Sequence, residues 1–188
     1  GSDGAFWMAA THVILKEFHH EKRSPYFMDY LKKYTDSPFL VKLEKEGDHF
    51  KPGRLLRANE LSQFKNIENG EWKFLNIDEK NGSFVVPKGS MGDRWGKPGN
   101  WNMKHETSTD HQPYDPLLSL LDTKDEVLQA EFVEWGLDKR SLRGVPVKYV
   151  QTENGKVPVT TVYDLIMAQY GVGLSLIHIS EPTRPRLI

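Results

Sequence analysis

The residues most able to do chemistry sit at the start of the chain, in the turn Gly1-Ser2-Asp3, which opens into the apolar run Ala5-Phe6-Trp7-Met8-Ala9-Ala10. Ser2 or Asp3 is suited to cap a helix there, because a side-chain oxygen can accept from a free first-turn N–H. The same geometry presents backbone N–H groups and a carboxylate to a ligand, as helix starts do for phosphates. Three other groups invite a functional reading. His19-His20-Glu21 resembles a metal cluster by composition, but adjacent helical residues point about 100° apart and a third ligand is needed, so a solvated linker is the expectation. Arg54 and Arg57 form one basic pair, better read as surface ion pairing than as an anion site. Trp95 and Trp101 lie in a Gly/Pro-rich stretch and have faces suited to stacking on a sugar or base; packing against protein is the preferred account.

Composition narrows the classes. The 188 residues carry 25 Lys+Arg against 26 Asp+Glu, so net charge gives no pull toward nucleic acid or anionic lipid. No run approaches the ~20 apolar residues of a membrane span, and no signal-peptide pattern is present. Cysteine is absent, which excludes disulfides, zinc-thiolate sites and cysteine-ligated iron–sulfur clusters within these residues. The chain begins without Met inside a capping turn, and we expect a piece of a longer protein.

The elements that must position these groups follow from periodicity. A helix is expected from about Asp3 to His19; its all-round apolar start suggests burial on every side. His19 to Arg23 reads as a polar linker. Ser24 then caps a second helix with Pro25 in its first turn, and Phe27, Tyr30, Leu31 and Tyr34 form an aromatic face expected to pack in the core. A strand over Phe39–Glu44 turns at Gly47-Asp48 and returns near Phe50; Pro52-Gly53 is read as another turn, and Asn59 as the cap of a short helix. Two β-hairpins are expected. One joins Trp72–Ile77 to Ser83–Val86 around Asn81-Gly82, with Trp72, Phe74 and Asn76 on one face. The other joins Pro146–Gln151 to Val157–Thr161 around Asn154-Gly155. Between them, Pro87 to Pro116 has no clear period and reads as a long irregular loop. Leu117–Leu121 and Val127-Leu128 read as strand or short helix. Thr160 or Thr161 caps a last helix, Val162 to Tyr170, which Gly171 ends. The tail from Leu174 to Arg186 looks like translated sequencing adapter and is given no role.

Several blocks in order carry a resemblance. Gly1-Ser2-Asp3 with Met8–His19, Tyr26–Tyr30, Tyr34–Pro38, Leu40–Glu44, Gly53–Ala58, Arg94-Trp95-Gly96, Gly99–Asn102 and Val159–Leu165 resembles the alpha subunit of membrane-bound respiratory nitrate reductase, over nearly all of 1–171. The resemblance implies an α+β fragment of a large multidomain α/β molybdopterin oxidoreductase, with buried N-terminal helices, two β-hairpins and a long irregular loop. It divides the chain into 1–38, helices of a dinucleotide-type cofactor domain; 39–158, an inserted β-rich region; 159–172, a helix returning to the main domain; and 173–188, a non-native tail. It implies that the parent reduces nitrate to nitrite on molybdenum bis(molybdopterin guanine dinucleotide), with electrons from quinol through iron–sulfur centres, including a 4Fe-4S cluster of the parent that this stretch lacks. Its partners would be an iron–sulfur beta subunit and a haem-bearing membrane gamma subunit, which place it peripherally on the cytoplasmic face. No catalytic or metal-ligating residue is expected here. Gly1, Ser2 and Asp3 are expected to touch the guanosine end of one pterin cofactor, with Ser2 where the family more often has Thr, and Asp3 facing ribose or guanine. This stretch by itself is expected to be inactive. Selenate or chlorate reductases and nitrite oxidoreductases are alternatives within the superfamily. A glycan-binding module using Trp95 and Trp101 is the alternative of another class.

Overall fold

A computed structural model describes residues 3–88, 104–123, 126–133, 140–153 and 155–172. It shows helices and sheet together, an α+β arrangement organised on one six-stranded sheet. Strands β1 (Leu40–Glu46) and β2 (His49–Leu55) form a hairpin whose turn uses Gly47 at φ +63°, a conformation that costs glycine little. The apolar start of β1 is buried and its charged end is exposed, as the sequence suggests. Pro52-Gly53 does not turn the chain. Both residues lie inside β2, where the register shifts between Val41 and Leu43 opposite them. Proline has no N–H to give a regular ladder, and an irregular stretch of pairing is where a strand accepts it.

On its other side β1 pairs with β10 (Gly155–Thr161), which pairs with β9 (Lys148–Thr152), so the expected second hairpin is present. Strands β7 (Val127–Val133) and β8 (Arg140–Pro146) form a third hairpin, paired over seven positions and attached parallel to β2 through Phe50 and Ala130. The order is β8-β7-β2-β1-β10-β9. The first expected hairpin shrinks to β3 (Asn76–Ile77) and β4 (Phe84–Val85), with Gly82 at φ +70°. Trp72 does not share its face. It ends a 3-10 turn and is half exposed, while Asn76 is buried, because Phe74 bridges to Arg57 instead of extending the strand. The stretch expected to be irregular contains the paired strands β5 (Pro87–Lys88) and β6 (Lys104–Thr107); Trp95 and Trp101 lie outside the described residues.

The main core lies against this sheet and joins Leu40, Leu56, Leu75, Ile77, Val86, Leu120 and Val159. A second core holds the helices. Helix α3 (Val162–Gln169) starts as expected at Thr161, whose Oγ1 accepts from the Asp164 N–H at 3.0 Å, and Gly171 follows it at φ +70°. Its Tyr163 and Met167 meet Leu15, Leu118 and Val172, with Phe27, Met28 and Leu31 at the margin. Those last three come from α2 (Pro25–Tyr34), where Pro25 takes its expected first-turn place; Ser24 caps through its backbone and makes no side-chain cap bond.

The expectation of buried N-terminal helices is corrected. Helix α1 (Asp3–Ile14) has no buried residue, and Phe6 and Trp7 are 65% and 67% exposed. Its apolar residues run round the helix, whereas the described residues supply neighbours on one side only. In α2 the tyrosines Tyr26, Tyr30 and Tyr34 stand exposed at a four-residue spacing, so the core takes Phe27 and Leu31 but not the whole aromatic face. The polar linker is also corrected. Helix α1 continues as a π-helical segment (Leu15–Glu21) that buries Leu15 and His19, and the His19 ring meets Tyr163 edge-on at 4.6 Å. Wide π turns are rare, and this one carries two buried side chains, Leu15 and His19.

Candidate functional site

Of the turn Gly1-Ser2-Asp3, the first two residues lie outside the described residues, and Asp3 is the exposed first residue of α1. What positions Asp3 is the far end of its helix. His12 Nδ1 donates to the Tyr170 carbonyl at 2.7 Å, which fixes the imidazole tautomer, and Leu15 and His19 then enter the second core. Every one of these anchors is C-terminal to Thr11. Asp3 lies nine positions before His12, so the helix start stands about 13 Å beyond its first anchor. Among the described residues no hydrogen bond or ion pair reaches the Asp3 side chain. The helix start therefore offers an acceptor-only carboxylate beside first-turn N–H donors that have no acceptor within the helix, a combination suited to a ligand that carries both hydroxyl or N–H donors and acceptor oxygens.

The other candidate groups do not converge. His19 is buried, His20 is exposed, and Glu21 pairs with Lys16 at 3.6 Å. No group of three or more His, Cys, Asp or Glu among the described residues is arranged to hold a metal ion. Arg57 lies over the Trp72 ring, 5.9 Å from its centre, so its cation faces an aromatic surface. The tryptophans of the glycan-binding alternative fall outside the described residues.

Two polar clusters that sequence reasoning missed hold this scaffold together. Lys32, 5% exposed, donates to Glu79 Oε2 at 2.7 Å and Asp115 Oδ1 at 2.8 Å, tying α2 to the β3–β4 hairpin and to the segment before Leu117. Burial alone would lower its pKa; the two carboxylates outweigh burial and hold it above the ordinary lysine value. Lys32 follows Met28 by four residues and so shares the inward side of α2, which is the signal that could have found it. Beside it, burial pushes the His105 imidazole below its ordinary value, and the buried Tyr114 hydroxyl is raised by burial while it accepts from Asn76 Nδ2 at 3.0 Å. The second cluster is Asp164, 1% exposed, which accepts from Ser119 Oγ at 2.5 Å and the Leu120 N–H at 2.8 Å while its own N–H is capped by Thr161. Asp164 thereby joins the start of α3 to the strand end and to the 119–120 turn. Both clusters are structural ties between elements far apart in sequence.

Comparison with known proteins places these elements in a larger whole. No family model matches the chain. Over 185 residues it is 39% identical to the respiratory nitrate reductase 1 alpha chain of Escherichia coli, a match covering 92% of this chain and 15% of that protein. It is 37% identical over 174 residues to the nitrate reductase alpha chain of Bacillus subtilis, covering 92% of this chain and 14% of the relative. The nitrate reductase alpha subunit of Mycobacterium tuberculosis matches at 37% over 187 residues, with the same shares. The chain thus spans about a seventh of the length of the curated relatives it matches.

Proposed function

Because the chain belongs to the family of nitrate reductase alpha chains, we propose that it is part of the catalytic subunit of a respiratory nitrate reductase. The observation that carries this reading is 35–39% identity to alpha chains from several bacteria, along 92% of its length. The family implies a molybdenum cofactor in the full-length protein, which we take to be molybdenum bis(molybdopterin guanine dinucleotide). That group supplies oxygen-atom transfer from nitrate when bound. What supports a contact with its nucleotide end is Asp3, an exposed carboxylate at a helix start.

In this reading Gly1 lets backbone approach the nucleotide, Ser2 contributes a hydroxyl, and Asp3 accepts from ribose hydroxyls or from the guanine N1–H and N2–H. The His12–Tyr170 bond and the buried Leu15 hold the axis of α1, and so hold Asp3 in place. Electrons reach the cofactor from quinol through an iron–sulfur beta subunit and a haem-bearing gamma subunit, and the complex sits at the cytoplasmic face of the membrane. The test is to purify the full-length protein that carries this segment and to measure reduced-dye turnover of nitrate, chlorate and selenate. Nitrite formation is expected; turnover of selenate without nitrate overturns the assignment. For the site, Asp3→Ala should lower the guanine nucleotide recovered from the purified protein several-fold. Unchanged nucleotide content removes Asp3 from the site.

A further inference from the structure

Asparagine followed by glycine occurs three times in the chain, at Asn69-Gly70, Asn81-Gly82 and Asn154-Gly155. Asn154 lies outside the described residues, and the other two pairs differ in their surroundings. Gly70 is buried, and a Cβ placed on it would meet Ile67 Cγ2 at 2.9 Å and Asn59 Cβ at 3.2 Å, so the backbone there is held in a filled space. Asn81 is exposed in the turn from Asp78 to Ser83, and a Cβ on Gly82 would meet the Lys148 ammonium at 3.2 Å. Three contacts organise this turn. The Ser83 N–H donates to Asn81 Oδ1 at 2.8 Å, Lys148 Nζ donates to the Gly82 carbonyl at 2.8 Å, and the Gly82 N–H donates to the Asp78 carbonyl at 2.8 Å. Lys148 also lies 5.5 Å from the centre of the Phe84 ring. An electrophilic amide carbon, Asn81 Cγ, thus adjoins a peptide nitrogen that no side chain shields, and each has beside it a polar group suited to the charge its reaction develops.

We propose that Asn81-Gly82 is a site of covalent self-modification, assisted by the Ser83 N–H and the Lys148 ammonium, that leaves aspartate or isoaspartate at position 81. The Gly82 nitrogen loses its proton to hydroxide, and its electron pair attacks Asn81 Cγ. The new C–N bond closes a cyclic imide, the Cγ–Nδ2 bond breaks, and ammonia leaves after taking a proton from water. Water then adds to either carbonyl of the imide; opening one side gives aspartate and opening the other gives isoaspartate. No atom changes oxidation state, and water with its hydroxide is the only co-reactant. The Ser83 N–H points at Asn81 Oδ1, where negative charge gathers as Cγ becomes tetrahedral. The Lys148 ammonium, held at the Gly82 carbonyl, favours the deprotonated nitrogen of the same residue. The bond from the Gly82 N–H to the Asp78 carbonyl must open first and paces the reaction. The same turn carries Glu79, whose carboxylate accepts from Lys32 at 2.7 Å. Isoaspartate routes the main chain through one extra carbon, so modification at position 81 loosens the turn that brings Glu79 to α2. The proposal stands on this turn and needs nothing from the nitrate reductase reading.

The experiment incubates the folded full-length protein that carries this segment, at mildly alkaline pH, in water enriched in heavy oxygen. Each imide opened during the incubation takes up one heavy oxygen, and peptide mapping by electron-transfer mass spectrometry separates isoaspartate from aspartate. Position 81 is expected to acquire the label several-fold faster than position 69, mostly as isoaspartate, and faster at higher pH because the Gly82 nitrogen must lose a proton. Labelling at 81 no faster than at 69, label present only as aspartate, or a rate indifferent to pH overturns the proposal. Lys148→Met is expected to slow labelling at 81 several-fold, and Lys148→Arg, which keeps the cation, to restore it. Position 69 reports on the fold in each variant, since an unfolded chain labels both positions alike. An unchanged rate at 81 in Lys148→Met, with position 69 still slow, takes the ammonium out of the reaction and overturns the proposal.

Discussion

Replacing Lys32 by methionine tests what holds α2 against the rest of the protein. Methionine keeps most of the apolar stem and its volume, so the change isolates the charge. Lys32 is 5% exposed and donates to two carboxylates, at 2.7 and 2.8 Å. Breaking a fully buried pair costs about 3–5 kcal/mol, because a charge is stranded away from water. Here the stranded partners are Glu79 and Asp115, whose side chains are 46% and 45% exposed, so water recovers much of that loss. An exposed pair would cost only about 0.2–1 kcal/mol. The structure lies between these limits, and Lys32→Met should destabilise by about 2 kcal/mol. Lys32→Ala should cost about 2 kcal/mol more, since it also removes buried methylenes worth roughly 0.8 kcal/mol each. The assay is urea unfolding of the chain followed by circular dichroism, where 2 kcal/mol moves the midpoint by about 1 M. A cycle with Asp115→Asn should give a coupling of about 1 kcal/mol between the two positions. If Lys32→Met leaves the midpoint unchanged and the coupling is zero, the buried ammonium is not a tie, and α2 is held by Phe27, Met28 and Leu31 alone.

Three further outcomes are expected. The Tyr163 hydroxyl is buried without a hydrogen-bond partner among the described residues, so Tyr163→Phe should be neutral or stabilising by about 1 kcal/mol in the same assay, and a clear loss would reveal a partner. Thr161→Ala should cost about 1 kcal/mol by removing the cap of α3, read as faster hydrogen exchange at the Asp164 amide. The Lys32 pKa is raised above its ordinary 10.5, so its contribution to stability is complete below that pH and is lost as pH rises through the higher folded-state value. Wild type should therefore lose more stability than Lys32→Met between neutral and strongly alkaline pH, and parallel curves would contradict the ion-pair geometry.

Local chemistry was enough to read much of the fold. Glycines 47, 82, 155 and 171 all adopt positive φ where a turn or helix end was expected, because few other residues do so cheaply. The β1–β2 and β9–β10 hairpins and the capped α3 follow from alternation and turn residues close in sequence. The β7–β8 hairpin was missed although Leu128, Ala130 and Phe132 alternate with outward residues; the flanking Gln129 and Glu131 masked the strand. Pro52-Gly53 was misread as a turn because their fit inside β2 depends on a register shift made by β1 across the sheet.

The candidate site divides along the same line. The sequence by itself determined the residue types at the start of α1, the apolar character of that helix and, through long blocks in order, the resemblance to nitrate reductase alpha chains. Those are properties of neighbouring residues and of the linear string. Tertiary structure alone decided that His19 packs on Tyr163, that Lys32 meets two carboxylates 47 and 83 residues away, and that the anchors of α1 among the described residues lie in its C-terminal half. Burial and ion pairing depend on which distant segments arrive beside a residue. An apolar helix therefore declares in sequence that it needs cover, but only the folded chain shows which of its sides is still open.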